Sequence, residues 1–584
     1  MYSYDWDPLT GGYLLNSTPL SFSKEPRPVY YQELDILGFN AKWKYPKSDA
    51  YPLMWAEANN YYYRGKLVAR TKGGSICQAP ELIFVDDPEP AGEELRFVDI
   101  PAMVEKNKNI LESLTQEAIK KIYNCYSANR NKYDIYYVAF SGGKDSVVTL
   151  DLVQRALPHN DFIVLFGDTK MEFPDTYKVV ELIKEECNKK GISFHVAQSN
   201  LEPEDTWKEF GPPAQKIRWC CSVHKSAPQI IYLREYLHKL NFRGLSFTGI
   251  RADESFARSE YDETSYGDKI KGQDSFRPIL TWNSAEVYLY IYANSLILNE
   301  AYKKGNSRAG CLVCPMATDK NSYIKERCYS QSDMGRSTSV FNKIILETTS
   351  KELLNESAVK EFMNIGGWKA RRSGRELKDV FVHSQEIKEK NKLIIELYVE
   401  KTDWREWIKT VGEVDNINPN SFNINFEGEN YNVKVSLEDG VKKFEVIVNG
   451  NTKKDIYFMS AIKTALKKAA YCVGCRVCEA NCPNGYISFV NSKVKVSDSC
   501  VHCRKCHEVS SGCLVYNSIK LPKREVNAMG SVDRYSNMGI EFLWVKGFFE
   551  KGDDFWNSDN GLGSKMVVSL KKFLSDAQLT TKTL

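Results

Sequence analysis

No apolar run in the chain approaches the roughly 18 residues that a membrane-spanning helix needs, so no membrane span is expected. Residues 1–19 carry neither the basic patch nor the apolar core of a secretory signal peptide, and a cytoplasmic protein is the expectation that follows. Repeats and low-complexity tracts are missing as well, which excludes a repeat architecture. An excess of one sign of charge is also lacking. The 79 basic and 75 acidic residues leave a net charge of +4, too weak to argue for nucleic acid by itself. What remains is ordinary for folded protein: 42% apolar and 26% charged residues rule out wholesale disorder. The 584 residues leave room for roughly three to five domains.

Cysteine is what the chain has in quantity. There are sixteen, and in a reducing compartment they argue for metal binding or redox chemistry rather than a disulfide framework. Their distribution agrees, because eight of the sixteen lie between Cys472 and Cys513.

Residues 1–103 are rich in Tyr, Trp and Pro and contain strand-like runs such as Tyr61-Tyr62-Tyr63 and Leu82-Ile83-Phe84-Val85, so they read as a β-rich module. The acidic, Pro-containing stretch 86–94 reads as a loop. Ile110, Leu114, Ile119 and Ile122 then set a helical period. Over 104–330, short runs rich in β-branched and aromatic residues (135–140, 162–166, 192–196 and 245–250) alternate with helical patterns. This predicts an α/β domain with a parallel sheet and a ligand site at the strands' carboxyl ends. Residues 331–455 read as a connecting α+β region, helical to about Lys409 and strand-like over 422–448. A ferredoxin-type cysteine domain follows over 456–520, then a tail with a helical pattern over 521–584.

The first predicted strand of that alternation runs straight into Ser141-Gly142-Gly143-Lys144-Asp145-Ser146, where a helical pattern begins. Two glycines let the backbone approach an anion closely, and a helix N-terminus offers free N–H groups at the positive end of its dipole. Ser141 and Ser146 can donate hydroxyl hydrogen bonds, and Lys144 adds a charge for phosphate. The spacing G-x-x-x-x-G-K-[ST] is absent, so this is not the phosphate loop of kinases and common ATPases. The plain alternative is a tight turn that needs glycine; the order strand, loop, helix favours the anion site. Asp145 or Asp168 could hold Mg²⁺, which prefers carboxylate plus phosphate oxygens. Asp145 could also cap the helix.

The hexapeptide resembles the pyrophosphate loop of the adenine-nucleotide α-hydrolase superfamily, whose sheet is Rossmann-like. Phe166-Gly167-Asp168-Thr169, followed by Glu172-Phe173-Pro174-Asp175-Thr176-Tyr177, is similar to the DTG…FPET-Y segment of the phosphoadenosine phosphosulfate (PAPS) reductases within it. Gly249-Ile250-Arg251-Ala252-Asp253-Glu254-Ser255 with Ala257-Arg258 resembles their G-x-R-x-x-E-S-x-x-R segment, and Arg277-Pro278-Ile279 with Trp282 their P-[IL]-x-x-W stretch. The resemblance covers residues 134–315. It implies Asp168 beside the nucleotide, and Arg251 and Arg258 near its phosphates or the transferred group, with Lys144 and Arg251 catalytic. Arginine suits bidentate phosphate recognition; the alternative for Arg251 is an ion pair with Asp253 or Glu254.

Cys472, Cys475, Cys478 and Cys482-Pro483 form C-x₂-C-x₂-C-x₃-C-P, the bacterial ferredoxin run, whose fourth cysteine normally ligates the other cluster. Cys500, Cys503, Cys506 and Cys513 supply the second half, with a longer last spacing and no following proline. Two [4Fe–4S] clusters are expected, with Cys₄ zinc as the alternative. The segment from Lys216 through Cys220-Cys221 to His224-Lys225 resembles the K-x-x-x-CC-x-x-[RH]-K motif of adenosine phosphosulfate (APS) reductases. Those enzymes pair it with a later C-x-x-C, here Cys311 and Cys314, to hold a third [4Fe–4S] cluster near the substrate. His224 stands where arginine is usual. Of the remaining Cys77, Cys125, Cys187 and Cys328, the last lies in Lys325-Glu326-Arg327-Cys328. Adjacent cations could lower its pKa, making Cys328 the candidate sulfur-handling, catalytic thiol.

Two enzyme classes follow from these resemblances. One cleaves ATP at its α-phosphate to activate an oxygen for replacement by sulfur, as in DNA phosphorothioation proteins of the DndC type. The other reduces APS or PAPS to sulfite with electrons from the fused ferredoxin domain, although the E-C-G-[IL]-H segment of assimilatory reductases is absent. A non-catalytic redox-sensing or assembly protein is the third class. Implied partners are ATP or PAPS/APS, an electron donor or cysteine desulfurase, and nucleic acid or proteins of a modification or phage-defence system. Phe555-Trp556 and the stretch 561–579 resemble a domain found with such systems.

Overall fold

The computed structural model describes the chain apart from residues 1, 20–24, 268–271, 330–334, 350–355, 522–541, 557–566 and 575–584, and single positions between them. It divides into two units, residues 1–521 and 522–584. Among the described residues no helix is long and apolar enough to cross a membrane.

At the centre of the first unit is a six-stranded sheet. Its strands are β1 (Ile135–Phe140), β2 (Ile163–Asp168), β3 (Ser193–Gln198), β4 (Gly244–Phe247), β5 (Thr264–Tyr266) and β6 (Gln273–Phe276), in the spatial order β3-β2-β1-β4-β6-β5. All neighbours are parallel except β5 and β6. Helices α1 (Lys144–Ala156) and α2 (Pro174–Lys189) cross between the first three strands, and α3 (Ala227–Leu237) precedes β4. The alternation predicted from sequence is therefore the one observed, in an α/β fold.

A strand buried on both faces divides its side chains by parity. In β1, Tyr136, Val138 and Phe140 join a core shared with α1, α2 and the long helix Ile100–Ala128. Ile135 and Tyr137 join a second core with α3, and this core continues into the C-terminal part of the unit. The N-terminal module has a hairpin (Tyr2–Asp7 with Gly12–Pro19) and a five-stranded antiparallel meander from Pro26 to Phe84, over its own core around Phe39, Trp43 and Tyr61.

The region expected to be helical to about Lys409 contains two strands, Ser384–Lys388 and Lys392–Leu397. Leu393, Ile395 and Leu397 are buried and alternate with less buried Lys392, Ile394 and Glu396, a period of two rather than 3.6. They are part of a six-stranded antiparallel sheet that includes Glu429–Glu438, whose burial alternates the same way. Helix α4 (Lys453–Tyr471) shares that sheet's core through Phe458, Ile462, Ala465, Leu466 and Ala469, and delivers the chain to Cys472.

The cysteine motif also grips the parallel sheet's layer. Arg234 on α3 donates to the carbonyls of Glu479 (2.6 Å), Ala480 (3.3 Å) and Cys482 (2.6 Å). Asn200, just past β3, donates to the Gly474 carbonyl at 3.4 Å. In the second unit, Phe542–Lys551 is helical, and Phe548, Phe555, Leu570 and Leu574 form a small core. Of the tail resemblance, residues 561–566 and 575–579 lie outside the described residues.

Candidate functional site

Helix α1 begins at Gly143 without a side-chain cap, so its first turn presents N–H groups to the space beyond β1. Gly142 takes φ +69°, a left-handed conformation that favours glycine, and a Cβ there would lie 2.8 Å from Thr176 Cγ2. Ser146 Oγ donates to the Gly143 carbonyl (2.8 Å) and accepts the Ser141 N–H (3.2 Å), while Ser141 Oγ donates to it at 3.2 Å. The loop is thus closed on itself. Two residues the sequence reading missed brace it: Tyr302, whose hydroxyl accepts the Lys144 N–H (3.2 Å), and Asn299, which donates to the Gly142 carbonyl (3.1 Å).

Gly249, at the end of β4, packs directly on this loop. A Cβ there would stand 2.5 Å from the Asp145 carbonyl oxygen and 2.6 Å from its carbon, both backbone atoms that cannot swing aside. Gly249→Ala is expected to displace the start of α1, costing about 1–3 kcal/mol and weakening nucleotide binding. Denaturant titration and equilibrium binding of ATP check both effects.

Charge is concentrated around Asp145. Lys144 Nζ pairs with Oδ2 (2.8 Å) and Arg251 Nε with Oδ1 (2.7 Å). The remaining guanidinium edge of Arg251 is bidentate on Glu25, at 2.6 and 3.0 Å. Arg251 is fully buried. Both of its edges hold carboxylates, so without a nucleotide Arg251, expected near the phosphates or the transferred group, organises Asp145. Its alternative partner Glu254 meets only its backbone N–H, at 3.5 Å, and pairs through its side chain with Arg258 and, at 3.7 Å, Arg308. Arg258 is close enough to Asp145 and Arg251 to feel their charge, although burial is what chiefly lowers its pKa. Glu25, in the N-terminal module 117 residues before the loop's first glycine, carried no sequence signal.

Burial alone would raise the Asp145 carboxyl, but Lys144 and Arg251 outweigh it and hold it at about 2. A carboxyl depressed in the folded state stabilises above its unfolded pKa of about 4, and that contribution is lost as pH falls toward 2. Thermal melts from pH 5 to pH 2 should show the loss, and Asp145→Asn should flatten that part of the profile.

Asp168, at the end of β2, is likewise engaged. It accepts from Tyr177 Oη (2.7 Å), Gln198 Nε2 (2.6 Å) and the Lys170 N–H (2.8 Å). In this arrangement both oxygens of Asp145 meet cations and both of Asp168 accept protein donors, so either carboxylate would exchange or share a partner on binding Mg²⁺.

The loop after β2 leads to the dispersed cysteines. Cys311 makes an antiparallel bridge with Glu172, and the Leu312 N–H donates to the Met171 carbonyl at 2.8 Å. Cys311 Sγ lies 3.5 Å from Thr169 Oγ1 and 3.6 Å from Glu172 Oε1. Burial raises its pKa, and Glu172 and Cys314 add to the rise while Lys225 opposes it. Cys220 is raised by its side-chain hydrogen bond with Cys221 and by burial, and the charges of Cys311 and Cys314 reach it. The four cysteines expected to act together are therefore neighbours, next to the loop that carries Asp168. His224 is turned away: fully buried, it meets Thr206 Oγ1 at 2.9 Å, and burial holds it at about 4, hence neutral.

Cys328 corrects an expectation. Burial pushes its thiol up to about 11, with Lys304 opposing and Asp175 adding; the neighbouring cations in sequence do not activate it. It packs against the second core beside Asp175.

The eight clustered cysteines sort across their motifs. Cys472, Cys475, Cys478 and Cys513 line one small pocket with Trp407, Lys468 and Phe489. Burial raises Cys500, whose acting neighbours are Cys482 and Cys503. Burial likewise raises Cys506 to an extent that Cys478, Cys482 and Cys500 increase and Lys468 opposes. The backbone repeats itself between the two halves: Gly474 (φ +70°) and Arg476 (φ +56°) match His502 (φ +50°) and Arg504 (φ +57°). Three non-glycine residues in left-handed conformations are strain that a binding loop retains, and such turns aim backbone N–H groups into concavities of the kind that hold iron–sulfur groups. N–H groups of Gly474, Val477, His502 and Val515 bond to Cys472, Cys475, Cys500 and Cys513, and the Tyr486 N–H to Cys482 Sγ (3.2 Å). Among the described residues no group of His, Cys, Asp or Glu is placed to hold a single metal ion. The donor set is all cysteine, which suits the thiolate ligation of an iron–sulfur cluster and equally that of a Cys₄ zinc site.

A family model described as the phosphoadenosine phosphosulfate reductase domain matches residues 135–317. An uncharacterised protein of Methanocaldococcus jannaschii is 36% identical over 225 residues, 38% of this chain and 52% of that protein, so the chain spans about half the length of this relative. An adenosine 5'-phosphosulfate reductase of Geobacillus kaustophilus is 30% identical over 213 residues, 35% of this chain and 83% of that protein. Among solved structures, the phosphate complex of a Candida auris PAPS reductase is 18% identical, with a TM-score of 0.26, covering 35% of this chain and 93% of its own.

Proposed function

Since the chain belongs to the phosphoadenosine phosphosulfate reductase family, we propose that it is an enzyme of adenine-nucleotide sulfur chemistry that binds ATP at the loop 141–146 and activates an acceptor oxygen for replacement by sulfur. The observation that carries this reading is the complete loop, with both glycines, two serines and Lys144 around an uncapped helix N-terminus. In the first step an acceptor oxygen attacks the α-phosphorus and the bond to pyrophosphate breaks. Pyrophosphate leaves with its charge facing Lys144 and the N-terminus of α1. The outer sulfur of a donor persulfide, as a cysteine desulfurase carries, then attacks the activated acceptor, AMP leaves with the displaced oxygen, and a second thiol cleaves the resulting S–S bond to release the thiolated product. The acceptor we favour is nucleic acid, as in DNA phosphorothioation and phage defence.

Cys472, Cys475, Cys478 and Cys513 would hold one [4Fe–4S] cluster, Cys482, Cys500, Cys503 and Cys506 a second, and Cys220, Cys221, Cys311 and Cys314 a third. Such clusters supply one-electron transfer when bound. Reduction of APS or PAPS to sulfite is the second reading, favoured by the name of the Geobacillus kaustophilus relative and by the position of Cys311 against the Asp168 loop.

Anaerobically prepared protein given ATP, acceptor DNA and a persulfide donor is expected to release pyrophosphate and AMP. Lys144→Ala should slow that release by about a hundredfold, the scale of losing one positioned cationic donor. Sulfite from PAPS with dithionite, with no ATP cleavage, would sink the thiolation reading in favour of the second.

A further inference from the structure

Helix α4 ends at Tyr471, and Lys468 lies one turn before Cys472. Its side chain is almost fully buried, at 1% exposure. Nζ donates to Cys478 Sγ at 2.8 Å and sits 5.1 Å from the centre of the Trp407 ring. It lines the pocket of Cys472, Cys475, Cys478 and Cys513, and helix α4 packs against the turn Lys505–His507 that carries Cys506. Cys478 and Cys513 belong to the first quartet and Cys506 to the second. No carboxylate pairs with Lys468 among the described residues. Its neighbour His507 meets Thr410 Oγ1 at 2.7 Å. Arg504 is taken up by Glu427.

Taking an ammonium out of water without a carboxylate is costly, and an apolar side chain would fill the same place beside Trp407 at no such cost. What the position offers is a charge that two groups of thiolates share. A cluster gains one negative charge when reduced, and a buried cation with an N–H···S bond favours that state.

We propose that Lys468 is a shared electrostatic control of both ferredoxin-type sites, one ammonium that raises the reduction potentials of the two clusters together. This rests on the proposed filling of those sites by [4Fe–4S] clusters. Each cluster takes one electron from a low-potential one-electron donor protein, and Lys468 stabilises the charge gained without itself being oxidised or reduced. It is a positioning residue, and it acts on potential rather than on substrate.

The test uses full-length protein prepared anaerobically, reduced stepwise with dithionite and followed by electron paramagnetic resonance at poised potentials. Lys468→Gln keeps an N–H donor and removes the charge; Lys468→Arg keeps the charge. For Lys468→Gln, the equilibrium constant for reduction at each ferredoxin-type site should fall about tenfold, a shift of about 59 mV per one-electron step. Lys468→Arg should restore most of it, and iron content should match the parent protein. Unchanged potentials at full iron content would overturn the proposal, as would a shift at one site alone. Loss of iron from Lys468→Gln would overturn it too, by making the residue an assembly element. If the parent protein itself binds no iron–sulfur cluster, the reading of the quartets fails first, and that outcome is visible before any variant is measured.

Discussion

Replacing Cys513 with alanine is expected to empty the site built by the other motif. With the three proposed clusters bound, iron should fall from about twelve to about eight atoms per chain, at four per [4Fe–4S] cluster. The cysteines set free should be Cys472, Cys475 and Cys478, which share a cavity with Cys513. Cys482→Ala should do the converse, freeing Cys500, Cys503 and Cys506, since Cys482 is the acting neighbour of Cys500 and Cys506. Alkylation of the two apo-site variants, mapped by mass spectrometry, reads the pattern directly. If Cys513→Ala instead exposes Cys500, Cys503 and Cys506, each motif serves its own cluster and the cross-pairing is wrong. The effect is large because a cluster with three protein ligands lacks one of the bonds that fix its assembly, and its free energy of binding is folding free energy for the loops around it.

Arg251→Met is expected to destabilise the protein by about 3–5 kcal/mol, the usual cost of removing one partner from a buried ion pair. Arg251 is fully buried between Glu25 and Asp145. Its loss leaves Glu25 facing Asp145 with Lys144 as the cation that remains on Asp145. Two consequences separate this from a simple packing defect. Glu25→Gln in the same chain should recover part of the loss, because one of the two opposed carboxylates is then neutral. The acid limb of the stability profile should also move upward from pH 2 to 4, because Asp145 is no longer held at about 2 by both cations. Urea titrations across that range, on single and double variants, measure both.

The legible parts of this molecule are the local ones. The strand, loop and helix around 141–146 are contiguous in sequence, and the glycines needed by the turn lie where it is made. The spacing of Cys472, Cys475 and Cys478 fixes a shared loop because three ligands on seven residues leave few conformations. Glu25, Tyr302 and Asn299 were invisible for the opposite reason. Tyr302 and Asn299 reach the loop, and Glu25 the arginine paired with it, through tertiary packing from distant elements, and nothing in their own neighbourhoods distinguishes them from any surface glutamate, tyrosine or asparagine. Cys328 misled because charge adjacent in sequence was taken for charge adjacent in space: on a helix, the residues immediately before it point elsewhere. Strands 384–397 misled because a run as short as Leu393-Ile394-Ile395 fits either period until its partner strand is known.

The clamp of Arg234 on three carbonyls bears on how the C-terminal cysteines work. Two of those carbonyls lie just before Cys482, and the third belongs to Cys482 itself. Helix α3 begins six residues after Cys221 and ends three residues past Arg234, so a single rigid rod joins the neighbourhood of the dispersed quartet to that of the clustered ones. A part fastened in this way is not a swinging arm. Any current between the two ends has to run through standing matter, and solvent viscosity should leave its rate untouched.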